Sequence, residues 1–262
     1  MVADVAIAKA RGFTLIEAAV ALFLLALLFG TVFIPLETRV DTRKVEDSER
    51  VLRVAREALL GYAAARGYFP CPADAGSGGR EPPGSNHATG ACPTYYGFLP
   101  AAELGLNASD GHGYAADAWG TDANRIRYAV SSQTVALASN ANTFTRVNGM
   151  RAAGIAALGD SSLSLFHVCS SGRGVVAGKS CGSAPTIVST TPVVIWSSGP
   201  NAAVGGTSPD EAQNPNINGG SPDRIFVMTV RSNAPGNEFD DLVAWIPMPV
   251  LVARMVTSGQ LP

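Results

Sequence analysis

The chain has 262 residues, of which 47% are apolar and 15% are charged, and its formal net charge is −2. This near-neutral balance excludes the broad basic surface of a nucleic-acid-binding protein, and the high apolar fraction excludes a disordered chain. The 28 glycines and 17 prolines indicate a body rich in loops. Three histidines and four cysteines leave few side chains for metal or nucleophilic chemistry.

The N-terminal region contains a long apolar run. No charged residue occurs in the 19 residues from Ala18 to Leu36. Because a helix rises about 1.5 Å per residue, this run matches the ~30 Å hydrocarbon core of a bilayer. Lys9 and Arg11 precede the run. Positive charge on that side predicts that the leader stays in the cytoplasm and the body is exported.

Three ordinary explanations of this run compete with a fourth that uses Glu17. A cleaved signal peptide needs a small-x-small site after its apolar core, and residues 33–37 offer none. A buried soluble helix is rarely apolar on every face over five turns. A plain membrane anchor fits the length but does not explain Glu17 at its start. An unpaired carboxylate there costs several kcal/mol, so Glu17 is a candidate functional residue.

Residues 11–18, Arg-Gly-Phe-Thr-Leu-Ile-Glu-Ala, closely resemble the cleavage and methylation motif of type IV prepilins and type II secretion pseudopilins. In that family a membrane peptidase cuts after the glycine and methylates the new N-terminus. The resemblance implies that residues 1–12 are a leader cut off between Gly12 and Phe13, and that Phe13 becomes the methylated first residue. It also implies that Glu17 neutralises the Phe13 amine of a neighbouring subunit in the filament core.

The function that this resemblance implies is structural and not enzymatic. The implied partners are the prepilin peptidase, other pilin or pseudopilin subunits, and an inner-membrane assembly platform with a cytoplasmic ATPase; no nucleic acid is expected. The implied location is a single pass through the inner membrane, with a cytoplasmic N-terminus and a periplasmic body. The body would be extracellular in an assembled pilus. A type IV pilus, a secretion pseudopilus and a competence filament all remain open, as do major and minor roles.

Two other classes of function are kept as alternatives. The first is a minor pilin whose large body acts as a tip adhesin or binds a substrate. The second is a membrane-anchored enzyme, for which residues 159–161, Gly-Asp-Ser, supply the start of a lipase-like motif. No Asp-x-x-His follows to supply the base that activates a serine, so we predict no enzymatic activity.

The helix is expected to continue beyond the apolar run. Apolar residues recur at three-, four- and seven-residue spacings through Val45, Leu52, Ala55 and Leu59, which is typical of an amphipathic helix. Charged residues of both signs lie between them and predict a solvated face. We therefore predict one helix over residues 13–66 whose first half spans the membrane.

Residues 67–262 are predicted to form a globular periplasmic or extracellular α+β domain. Residues 67–124 are rich in Gly, Pro and Asn and predict long ordered loops. Short apolar runs separated by turn residues then predict strands at residues 125–131, 163–169, 192–197, 224–230 and 242–246, and a helix at residues 248–256. Without βαβ spacing these strands favour an antiparallel sheet, packed on the long N-terminal helix and joined by long disulfide-held loops.

Four cysteines in an exported body favour two disulfides. Three pairings are possible, and the local one joins Cys71 to Cys92 and Cys169 to Cys181, closing loops of about 20 and 11 residues. A zinc site is the alternative, but the chain has no CxxC pair.

A possible calcium site follows from a looser resemblance. Residues 117–120, Asp-Ala-Trp-Gly, and the glycine-rich residues 197–206 resemble a turn and the calcium loop of the major pseudopilin of type II secretion. Calcium takes six to eight oxygen ligands from such loops. Ordinary turn and capping roles are the alternative for these side chains. The candidate ligands are Asn201, Asp210, Glu211, Asp240 and Asp241.

Overall fold

The computed structural model describes residues 14–108, 110–135, 142–163, 165–215 and 223–262, and within the first range it leaves out the side chains of residues 28–39. The chain divides into two compact units, Met1–Lys44 and Val45–Pro262. Its secondary structure combines helices with two sheets, which confirms the predicted α+β class.

Helix α1 covers Leu15–Arg66 and contributes to both units. Gly67 follows its last residue and terminates it: the φ of 81° lies in the left-handed region that favours glycine, and the Gly67 N–H donates to the carbonyl of Ala63. The predicted stripe is present in the second unit, where Leu52, Ala55 and Leu59 are buried.

In the first unit, the side chains at the start of α1 are solvent-exposed. Leu15 is 90% exposed and Phe23 is 65% exposed. Across the described parts of the chain, no helix contains a stretch long and apolar enough to cross a membrane. The predicted spanning run, residues 18–36, extends into the residues whose side chains are not described.

Two sheets make up the β structure of the second unit. In the first sheet, strands lie in the order β1-β2-β5-β7 and all pairs are antiparallel. In the second, the order is β4-β3-β6, and β3 pairs antiparallel with β4 but parallel with β6. The strands are β1 Tyr96–Phe98, β2 Arg127–Val130, β3 Phe166–Cys169, β4 Thr186–Thr191, β5 Val193–Ser197, β6 Ile225–Val227 and β7 Leu242–Ile246. The expectation of one antiparallel sheet was therefore incomplete.

The second sheet exists because the first is apolar on both faces. Every residue of β5 is buried, which is typical of a strand covered on both sides. One face carries Val193 and Ile195 and packs on the second half of α1 and on helix α3, Met248–Thr257. The other face carries Trp196, whose ring lies 5.1 Å from that of Phe226 in the second sheet. The second unit is thus layered as helices, first sheet and second sheet.

Two disulfides hold the irregular segments of the second unit. Cys71 is bonded to Cys92 and Cys169 to Cys181, which is the local pairing. No cysteine is left free, so the zinc alternative has no thiolate ligands. The first disulfide holds the loops after α1, and the second holds a loop that follows β3.

Helix α2, Gly149–Leu158, was not predicted. It contains Gly154 at a φ of 77°, a non-helical conformation that interrupts the helix, and this obscures its apolar periodicity. Strand β4 was also missed, because its Ser- and Thr-rich sequence lacks an apolar run and only its last residue is buried.

Candidate functional site

Two groups of residues carry the candidate functions, one in each unit. The first lies at the start of α1. Thr14 directly precedes the helix, and its N–H and its hydroxyl donate to one carboxylate oxygen of Glu17, over 2.9 and 2.8 Å. The N–H of Glu17 donates back to the Thr14 hydroxyl over 3.3 Å. This reciprocal pattern is a capping box, which satisfies backbone donors that a helix start leaves without partners.

The Glu17 carboxylate therefore already has a local role in the single chain. It is exposed, so it is also free to meet a cation from another molecule. Gly12 and Phe13, the predicted cleavage residues, lie outside the described residues.

The second group is a cluster of three buried carboxylates in the second unit. Glu211 begins a short 3₁₀ turn, Glu211–Gln213, and Asp240 and Asp241 directly precede β7. Each offers a carboxylate oxygen, and these three oxygens all lie within 4.8 Å of one another. Glu211 is 1% exposed, so this is an acidic site shielded from water.

The cluster has fewer hydrogen-bond donors than it has oxygens. One oxygen of Glu211, Oε1, accepts from the Asn201 amide over 2.8 Å and from the N–H of Asp240 over 3.3 Å. Asp241 accepts from the Asn214 amide over 2.8 Å. Among the residues that the structure describes, the buried atoms Glu211 Oε2 and Asp240 Oδ1 have no hydrogen-bond partner. Buried polar atoms without partners are rare and costly, and a bound cation satisfies such oxygens.

The pKa shifts of the cluster carboxylates also favour a bound cation. Burial and the neighbouring Glu211 carboxylate raise the pKa of Asp240. Burial also raises the pKa of Asp241, with a further increase from Glu211 and Asp240. Three carboxylates this close repel one another when ionised, so the site needs protons or a cation.

Two glycines in the loop after β5, Gly199 and Gly206, place the backbone close to the two cluster oxygens, Asp240 Oδ1 and Glu211 Oε2. A Cβ at Gly199 would lie 2.6 Å from Asp240 Oδ1, and one at Gly206 would lie 1.8 Å from Glu211 Oε2. Gly199 has a φ of 61°, and its carbonyl accepts from the Asn124 amide over 2.6 Å. That amide also binds Asp117, so the turn at residues 117–120 is tied to the start of this loop.

The structure therefore brings together four of the five predicted calcium ligands. Asn201 contacts the cluster through its amide nitrogen. Asp210 is outside the cluster: one of its oxygens accepts from the Ser171 hydroxyl and the Gly172 N–H, each over 2.7 Å. Asp210 thus holds the second disulfide loop. Sequence reasoning missed Asn214, which no local motif marks.

The donor set fits a hard cation. All three cluster ligands are carboxylates, which Ca²⁺ and Mg²⁺ prefer, and no imidazole or thiolate joins them. The residues present thus fit the calcium that the resemblance implies.

Comparison with known proteins places the first group in a recognised class. The family model described as the prokaryotic N-terminal methylation motif matches residues 7–33. This chain therefore carries the signature of type IV prepilin-like and pseudopilin proteins. The motif includes the predicted cleavage residues and Glu17, and it indicates a membrane-anchored or pilus-associated protein. No curated protein and no solved structure matches the chain.

Proposed function

We propose that this protein is a structural subunit of a type IV pilus-like or type II secretion pseudopilus filament. The observation that carries the proposal is the methylation motif at residues 7–33. In this proposal the chain is cut after Gly12, methylated at Phe13, held in the inner membrane by the first half of α1 and polymerised through that helix. The exposed apolar residues of the first unit support it, since so much apolar surface requires lipid or neighbouring helices as cover.

Glu17 is assigned the pairing role in assembly. Its carboxylate is exposed and oriented by Thr14, and it would meet the Phe13 amine of a neighbouring subunit. A charge pair buried in a filament core fixes register more than it adds stability.

The test follows the N-terminal peptide by mass spectrometry in the native host. The wild type should give a peptide that begins at methylated Phe13. Glu17→Ala should be processed in the same way but be depleted from the sheared filament fraction. Glu46→Ala, which removes an exposed acid from the same helix, is the matched control and should assemble normally. An intact leader, or normal assembly of Glu17→Ala, would contradict the processing or the pairing proposal respectively.

We assign the subunit a minor or pseudopilin-type role because its body, residues 67–262, is large for a repeating subunit. A tip adhesin or substrate-binding minor pilin is the alternative within this class. The copy number of the chain in purified filaments separates a scarce minor subunit from an abundant major one.

We also propose that Glu211, Asp240 and Asp241 bind calcium. Two buried carboxylate oxygens that lack a partner in the described parts of the chain favour this assignment. Isothermal titration of the full-length chain in detergent should show calcium binding in the wild type and its loss in Asp240→Asn. Asp41→Asn, which removes an exposed acid on α1 outside the acidic cluster, is the control and should bind as the wild type does. Absence of binding heat together with an unchanged melting temperature would refute the site.

A further inference from the structure

Asn214 links the acidic cluster to the second sheet. It follows the 3₁₀ turn that begins with Glu211, and it is 1% exposed. Its amide nitrogen donates to the Val227 carbonyl over 2.9 Å and to Asp241 Oδ2 over 2.8 Å. Its amide oxygen accepts from the Val227 N–H over 2.8 Å. The two hydrogens of the Asn214 amide are therefore both used, one by the Val227 carbonyl and one by the Asp241 carboxylate.

The two bonds to Val227 close the edge of a sheet. Val227 belongs to β6, which pairs with β3 on one side and, among the described residues, has no strand on the other. An unpaired strand edge presents N–H and carbonyl groups that need partners. The Asn214 amide supplies both partners for Val227 in place of the peptide group of a further strand.

The third hydrogen bond of Asn214, to Asp241, connects it to the first sheet. Asp241 directly precedes β7, the edge strand of the first sheet. The Asn214 amide thus spans from a carboxylate of the candidate cation site to the edge of β6. A change in the position of Asp241 moves the donor that also holds Val227.

We infer that Asn214 is a positioning residue that couples cation binding at the cluster to closure of the β6 edge. This inference rests on the proposed calcium site. A cation fixes Asp241, Asp241 fixes the amide, and the amide holds the N–H and the carbonyl of Val227. The coupling is reciprocal, so closure of the edge strengthens cation binding by the same factor by which the cation strengthens closure.

Hydrogen exchange at the Val227 amide reports the coupling directly, because that N–H donates to Asn214. In the full-length chain in detergent, saturating calcium should slow this exchange roughly fivefold or more, within the usual range of coupling between sites. In Asn214→Ala the Val227 amide should exchange fast, with or without calcium. Its calcium dissociation constant should rise by a similar factor.

Two further variants separate coupling from a general loss of structure. Asp241→Asn keeps a carbonyl acceptor for Asn214 but removes a ligand charge, so Val227 should stay protected while its response to calcium disappears. Asn142→Ala removes an amide that donates to the Gly90 carbonyl over 2.8 Å, away from β6. It should leave both readouts at their wild-type values. If Asn214→Ala does not fold, Asp241→Asn still tests the inference.

The outcomes are distinct. Calcium binding in the wild type without slower exchange at Val227 would overturn the coupling and leave the calcium site standing. A calcium response at Val227 that survives in Asn214→Ala would also overturn the coupling. Absence of calcium binding in the wild type would overturn both the site and the coupling.

Discussion

Alanine at Gly206 tests the acidic cluster with a single methyl group. The backbone of Gly206 is not in the positive-φ region, so alanine is allowed there on conformational grounds. Its Cβ, however, would lie 1.8 Å from Glu211 Oε2 and 2.1 Å from the carboxyl carbon. Atoms cannot approach this closely, so the Glu211 carboxylate must move away from its present position.

The cost follows from the bonds that Glu211 then loses. Its other oxygen accepts from Asn201 over 2.8 Å and from the N–H of Asp240 over 3.3 Å. Hydrogen bonds to charged groups contribute about 1.5–3 kcal/mol each, so the loss of a good and a long one costs roughly 3–4 kcal/mol. For a unit of this size about 1 kcal/mol shifts the melting temperature by roughly 2–4 °C, which gives a fall of roughly 6–16 °C.

The fall should be larger with calcium than with chelator. Without a cation, moving one carboxylate out of the cluster also relieves its repulsion with Asp240 and Asp241, which offsets part of the loss. Calorimetric melting of the full-length chain in detergent measures the fall in melting temperature with calcium and with chelator. Gly111→Ala is the matched control, since no described atom other than those of its chain neighbours lies within 4 Å of its Cβ position. A Gly206→Ala variant that melts like the control and binds calcium normally would refute the reasoning.

Two further predictions concern the first disulfide loop. Replacing both Cys71 and Cys92 with serine should lower the free energy of unfolding by about 3 kcal/mol, because the bond closes a loop with a sequence separation of 21; urea unfolding measures it, and no change would contradict the prediction. Both nitrogens of His87 face acceptors, the Thr145 carbonyl at 2.7 Å and the Glu81 carboxylate at 3.0 Å. Burial lowers the pKa of His87, but these two hydrogen bonds and the negative charges of Glu81 and Glu103 together outweigh it, so the net pKa is raised. Protonated His87 therefore stabilises the fold fully below the unfolded pKa of about 6.5, and this stabilisation is lost as pH rises through the higher folded pKa. Urea unfolding across that pH window should show the decline in the free energy of unfolding of the wild type. A decline that persists in His87→Gln would contradict its assignment to His87.

Much of the fold could be predicted because it follows from local pattern. Strands β2, β3, β5 and β7 lie within the apolar runs that predicted them, and α1 ends at its predicted residue. β6 ends earlier than predicted, at Val227; Met228 and Val230 beyond it are exposed, although the Met228 N–H still donates to the Cys169 carbonyl of β3. Local pattern could not predict the division into two sheets, since it depends on the contact between Trp196 of the first sheet and Phe226 of the second.

In the candidate sites too, residues in a local motif could be predicted and residues brought together by the fold could not. Glu17 was predicted from a contiguous motif, and its capping bonds to Thr14 span three residues. Glu211 and Asp240 were named as candidate ligands from a loose resemblance, but no local pattern shows that these two residues lie close together in the fold. Asp210, next to Glu211 in the sequence, faces the second disulfide loop instead. Asn214 was missed because its role depends on the edge of β6, which the sequence does not reveal.

The stability of the second unit depends on chemistry that differs between cellular compartments. Its irregular segments contain three points of this kind: the disulfide Cys71–Cys92, the disulfide Cys169–Cys181 and the acidic cluster of Glu211, Asp240 and Asp241. Disulfides persist outside the cytoplasm and are reduced within it. Calcium sites of moderate affinity likewise fill in extracellular media. In a reducing, calcium-poor compartment the same chain would lack both disulfides and the cation proposed for the cluster, whose buried oxygens would then have no partner among the described residues. The body is therefore suited to reach its full stability only after export, which agrees with the location proposed from the N-terminal motif.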